Sequence, residues 1–248
     1  MPLSAKAQFT DGMTGLLNMP SAEMNESGTF TITNNFLNHH ISPARWSYNT
    51  FGYGFGITFW SRLEVNYVCT IFNHNWGKEI NDIMVNQDRH FNFKVLALRE
   101  GEFGKSWVPA LAFGAGDPLT AVNYNGYFGE GGVKDGAGNG FFQRFYVALS
   151  KHFDTGWGEV GAHLAYQYSV RTDWINRNAP CAAVTWRPVW LRNRWFDPKF
   201  VFEYDARTPN FGFTADIWDS RFQAMFCLQN FQWVSFGLRF NLRLKGAE

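Results

Sequence analysis

The sequence predicts an all-β chain, a transmembrane antiparallel β-barrel of about twelve strands, preceded by an irregular N-terminal segment that lies near or inside the lumen. Three observations carry that prediction. Residues 231–244 place Val234, Phe236, Leu238, Phe240, Leu242 and Leu244 at alternate positions, with Ser235, Gly237, Arg239, Asn241 and Arg243 between them. A period of two is an extended strand with one apolar and one polar face. Its length suits a tilted membrane-crossing strand of roughly 9–11 residues better than a globular strand of about 5–6. The same alternation recurs along most of the chain. Finally, aromatic residues reach 19% and charged residues only 17%, yet mean hydropathy is −0.27. No run approaches the roughly 18 apolar residues of a transmembrane helix. A barrel alternates lipid-facing and lumen-facing residues, so its average hydropathy conceals a membrane character.

The chain divides into a lead-in at residues 1–28 and a barrel at 29–248. The lead-in has no period, and Gly12, Gly15, Pro20 and Gly28 argue against a helix. Ala5-Lys6-Ala7 has the small-x-small form of a signal-peptidase site, so residues 1–7 read as a candidate signal remnant. No cysteine lies near it, which argues against a lipid anchor attached there.

The first predicted strand, residues 29–36, sets Phe30, Ile32 and Phe36 on one face. The second, 46–60, sets Phe51, Tyr53, Phe55, Ile57 and Phe59 outward and Gly52, Gly54 and Gly56 inward. Successive inward glycines mark a bend or a close approach by another group, for which the lead-in is the nearest candidate. Strands follow at 63–71, 90–99 and 107–113. The last holds Pro109, which removes a ladder donor and belongs at an edge or bulge. Others follow at 141–149, 160–168, 181–187, 200–205, 211–217 and 222–228, before the closing strand.

Links after the second, sixth and tenth strands are tight, and those after the third, fifth and seventh are long. This suits short periplasmic turns and longer outer loops, with both barrel termini on the periplasmic side. Residues 188–199 form a long link where a turn is due, which leaves the strand count open there. The Gly-rich run at 126–140 lies in the longest loop. Trp46, Trp60, Trp107, Trp157, Trp186, Trp190, Trp195 and Trp218 sit near predicted strand ends, as girdles at the two interfaces would put them.

Inward parity selects Glu64, Lys94, Arg144, His163, Arg187, Glu203, Asp205, Asp216, Arg239 and Arg243 as lumen-facing polar candidates. Mixed signs in a barrel of intermediate bore have two readings. One is a set of paired charges that fills the lumen and fixes register, because unpaired buried charges are expensive. The other is a polar track for a sugar or other solute. A net charge of +1 with no basic tract argues against a nucleic-acid partner.

Cys69, Cys181 and Cys227 form no CxxC pair and read as packing residues. For catalysis, His39, His40, His74, His90, His152 and His163 are candidate bases, and Ser42, Ser47 and Ser150 are candidate nucleophiles. No Gly-x-Ser-x-Gly turn unites them. No His-x-x-x-His pair or phosphate-cradling loop occurs, so no catalytic residue, metal or cofactor is expected. A soluble lipid-binding barrel would invert the faces, with apolar side chains inside.

Gly15-Leu16-Leu17-Asn18-Met19-Pro20-Ser21-Ala22 resembles the opening motif of the YjbH family of outer-membrane proteins. Glu203-Tyr204-Asp205, Asn210-Phe211-Gly212 and Ser235-Phe236-Gly237-Leu238-Arg239-Phe240 are similar to that family's C-terminal hairpins. The resemblance implies the outer membrane of a Gram-negative bacterium and a non-enzymatic envelope role linked to exopolysaccharide export or display. It brings no catalytic residues. The implied partners are outer-membrane lipid and polysaccharide or other envelope proteins. A structural or accessory subunit of a larger outer-membrane assembly is the alternative, and a lipid-modifying enzyme is a more distant one.

Overall fold

The computed structural model describes residues 8–42, 48–72, 86–119, 142–169 and 176–244. Twelve strands follow in order: β1 (Thr29–Leu37), β2 (Thr50–Phe59), β3 (Leu63–Phe72), β4 (Asn86–Leu98), β5 (Ala110–Gly116), β6 (Arg144–Thr155), β7 (Gly158–Ser169), β8 (Ala179–Pro188), β9 (Phe196–Tyr204), β10 (Pro209–Ile217), β11 (Phe222–Gln229) and β12 (Trp233–Arg243). Each pairs antiparallel with its neighbour in sequence. β12 closes on β1, from Thr29↔Arg243 to Phe36↔Phe236, to complete a barrel. No helix among the described residues is long and apolar enough to cross a membrane.

The direction of the alternation follows from closure. On β12, Phe236 is 51% exposed and Leu238 64%, while Arg239 between Leu238 and Phe240 is 1% exposed. On β7, Leu164, Tyr166 and Tyr168 face out and His163 and Gln167 face in. Outward rings meet from strand to strand, with Phe36 stacked on Phe236 at 5.0 Å and edge-on to Phe51 at 5.4 Å. Apolar faces out and polar faces in are the reverse of a lipid-binding soluble barrel.

Two prolines explain where the pattern is hard to read. Pro109 precedes β5, so no ladder bond is lost to it, and the irregularity of that pair is a register shift on β4 between Leu96 and Leu98. Pro198 lies inside β9, which starts at Phe196 and shortens the preceding link to residues 189–195. The ladder between β8 and β9 stops at Trp186↔Phe200, so Pro198 lies beyond it while still pairing in register with Ala215 of β10. Among the described residues the count is twelve. Paired left-handed residues, Trp60 with Ser61 and Asn230 with Phe231, make tight hairpin turns whose twist matches the strands.

One barrel end carries the links 60–62, 99–109, 156–157, 189–195 and 218–221 together with Thr29 and Arg243. Trp60, Trp107, Trp157, Trp186, Trp190, Trp195 and Trp218 all lie there, so the expected pair of girdles is a collar at one end among the described residues. Trp233, at the other end, stacks on His40 with centroids 3.4 Å apart. Trp46, Phe141, the run 126–140 and the small-x-small site at 5–7 lie outside the described residues.

Residues 8–28 occupy the lumen. Phe9, Leu16, Leu17 and Met19 are fully buried against Leu37, Ile41, Tyr146, Val201, Met225 and Cys227, so the apolar core lies inside the barrel. The three cysteines are free and buried. The inward glycines of β2 serve a different neighbour from the one expected. A Cβ on Gly54 would lie 3.1 Å from Val68 Cα, and one on Gly56 would collide with the Asn66 side chain. Both contacts are with β3. The lead-in meets this wall at Gly12 (φ 65°), where a Cβ would lie 3.2 Å from Val68 Cγ2 and 3.3 Å from Thr33 Oγ1.

Candidate lumenal site

The Gly15–Ala22 motif folds back on itself through a bridge between Gly15 and Pro20. This turn aims successive amides at one carboxylate. Leu17 N–H donates to Glu203 Oε2 at 3.0 Å, Asn18 N–H to Oε1 at 2.7 Å, and Met19 N–H to both oxygens at 3.3 Å. Asn210 Nδ2 adds a further donor at 3.2 Å. Consecutive amides converging in this way form a concavity suited to carboxyl oxygens, and here the acceptor is a side chain of β9.

Three further contacts hold the segment. Thr14 donates its N–H to Glu64 Oε1 at 2.9 Å and its hydroxyl to Oε2. Lys94 Nζ lies 3.2 Å from Glu64 Oε2 and donates to the carbonyls of Thr14 and Glu23 at 2.6 Å, and Arg239 Nη2 lies 4.0 Å from Glu64 Oε1. Asp11 Oδ2 accepts from Arg144 Nε at 3.0 Å and Nη2 at 2.5 Å. Near the turn end, Glu23 accepts from Lys199 Nζ at 2.7 and 2.9 Å and lies 3.3 Å from His152 Nε2, whose Nδ1 is 2.7 Å from Glu100 Oε2.

Burial works against charge on Glu23, yet Lys199 and His152 outweigh it and hold that carboxyl well below its ordinary range. Burial likewise opposes ionisation of Glu100, while hydrogen bonds from His152 and Lys151 hold it at about 2.

The inward candidates thus fall into groups. Glu64, Lys94, Arg144 and Glu203 meet the N-terminal segment directly, and Arg239 joins through Glu64. Arg187 pairs with Asp197 and lies 3.9 Å from Asp216, which accepts from Gln223 Nε2 at 2.6 Å. Asp205 caps its own turn, accepting from Arg207 N and Thr208 N at 3.0 Å. Arg243 has inward parity but stands at the barrel mouth, its side chain 71% exposed, paired with Glu26 at 2.5 Å. It is a rim residue, not an enclosed one.

Asp11, Thr14, Glu23 and the amides of Leu17, Asn18 and Met19 have no periodicity to mark them in sequence. His152 was open to detection, since a tight turn at 156–157 sets Ser150 opposite His163 and His152 opposite Gly161. His163 Nδ1 is 2.9 Å from Ser150 Oγ, and its Nε2 is 3.2 Å from Thr185 Oγ1. Thr185 presents a neutral hydroxyl where a nucleophilic triad needs a carboxylate. Ser150 Oγ also accepts the Ala22 N–H at 3.0 Å, tying the motif's end to β6. Two cavities open at the turn end. One of about 690 Å³ is lined by residues including Asn25, Glu26, Ser220 and Arg243, and one of about 240 Å³ by Glu23, Glu100, Ser150 and His152 among others.

Fold and lumen together define a closed twelve-stranded barrel that holds its own N-terminal segment. Residues 7–128 match the model of the YjbH family, described as an exopolysaccharide biosynthesis protein, so over that span the resemblance to the family is established. The match takes in the Gly15–Ala22 motif and ends before Glu203 and the C-terminal hairpins. No curated protein matches the chain.

Proposed function

We propose that this protein is a non-enzymatic outer-membrane barrel of a Gram-negative envelope, serving exopolysaccharide export or display, with its bore held shut by residues 8–28. The observation that carries this reading is an outward apolar belt around a lumen that is lined by polar side chains and filled by a segment within the span matched to the family. Phe, Leu and Tyr on the outer face suit hydrocarbon, and the tryptophan collar suits a membrane–water interface. Protein found in the membrane fraction and released only by detergent supports the placement; buffer-soluble protein defeats it.

The filled lumen also favours a second reading, an accessory subunit of a larger outer-membrane assembly. Planar-bilayer recordings separate the two. A chain lacking residues 8–22 that opens steps blocked by polysaccharide, against a silent full chain, marks a gated conduit. Silence from both, with envelope proteins co-purifying, marks the accessory role. Ser150 and His163 serve to anchor the motif. Phospholipid or acyl-ester turnover that Ser150→Ala abolishes would overturn the non-enzymatic assignment.

A further inference from the structure

We propose that Glu23, His152 and His163 form a binding site for a divalent transition-metal ion of the zinc class, one that bridges the N-terminal segment and the β6–β7 hairpin. A carboxylate and two imidazoles suit such an ion, with a further position left open. Their ligand atoms all lie within 4.8 Å of one another. Metal bonds of about 2.0–2.2 Å to each require a small inward closure of that set.

The ring orientations favour the role. His152 has Nδ1 against Glu100 Oε2 at 2.7 Å, which leaves Nε2 turned to Glu23. His163 has Nδ1 against Ser150 Oγ at 2.9 Å. A proton on each Nδ1 leaves both Nε2 atoms as lone-pair donors. His152 Nε2 lies 3.3 Å from Glu23 Oε1, and His163 Nε2 lies 3.2 Å from the Thr185 hydroxyl, which an arriving ion has to displace. The Glu100 carboxylate and the Ser150 hydroxyl fix the tautomers as outer-sphere partners do at metal centres.

Space and access are also present. The rings approach to 5.4 Å between centroids because position 161 is glycine. A Cβ there would lie 2.7 Å from His163 Nε2 and 3.1 Å from His152 Cδ2. The cavity of about 240 Å³ reaches Glu23, Glu100 and His152, giving an ion a way in and water a place at the open position. Lys199 Nζ already sits on Glu23, so an arriving cation has to displace an ammonium. Lys199 is therefore a built-in competitor that lowers the affinity of the site.

The test is a zinc titration of the detergent-solubilised full chain against a chromophoric chelator, with folding checked by heat-dependent gel mobility. One equivalent should bind. His152→Asn and His163→Asn should each weaken binding at least tenfold, Glu100→Gln should weaken it about 10–100-fold, and Lys199→Met should tighten it, a gain that misfolding does not produce. His39→Asn with His40→Asn, the adjacent pair of imidazoles at the far end, should leave the equivalent unchanged. Zinc retained by a folded double variant lacking both His152 and His163, or no binding by Lys199→Met, overturns the site.

Discussion

Glu203 and Glu64 both hold the lumenal segment, and they do it by different means. Glu203 is surrounded by amides, three from the motif and one from Asn210, with no cation in its hydrogen-bonding shell among the contacts described. Glu64 also accepts from the segment but stands beside Lys94 and Arg239. One grip reads backbone shape, and the other is a charge cluster into which Thr14 inserts. Only the first depends on the turn formed by Gly15–Ala22.

Glu203→Ala should have the largest effect. Each of the three motif amides left without an acceptor costs about 1–3 kcal/mol, so a loss of roughly 3–9 kcal/mol is expected, read as a lower urea midpoint and faster proteolysis of residues 8–28. No single substitution of a nearby cation should restore it. Glu64→Gln leaves two cations uncompensated and should cost about 3–5 kcal/mol, yet adding Lys94→Met should recover most of that loss. Equal behaviour of the two carboxylates in such double-mutant cycles would erase the distinction.

A smaller effect follows from pH. The Glu23 carboxyl is depressed in the folded chain, so its contribution is fully present above its ordinary value of 4.5 and fades as pH falls below it. A nitroxide on Met24→Cys should hold constant mobility from pH 7 to 5 and loosen in stronger acid. Loosening near neutrality would show that Glu23 is not the group responsible. The smallest effect belongs to Arg243→Ala. Its pair with Glu26 is solvent-exposed and should shift stability by less than about 1 kcal/mol, with no change in segment proteolysis.

The barrel was legible because its two faces meet different surroundings, and β7 and β12 record this at every second residue. Pro198 hid the start of β9, because a proline reads as the end of a strand when its missing donor has no partner to lose. The glycines of β2 signalled a close approach truthfully, but sequence does not say whether the neighbour lies across the lumen or on the next strand, and it was Asn66 of β3. The inward charges could be picked by parity. Their partners Asp11, Thr14 and Glu23 could not, since an aperiodic segment takes its course from the cavity that receives it. The placement of His152 beside His163 needed only the hairpin register, which a tight turn at 156–157 supplies.

The join between β1 and β12 brings together strands from opposite ends of the sequence, and residues 8–28 run directly into β1. A ring whose contents are bonded on every side to its staves has to be cooped around them. That couples the seam to its contents: the contacts with Glu203 and Glu64 and the ladder from Thr29↔Arg243 to Phe36↔Phe236 are expected to support one another, so that loss of either loosens the other.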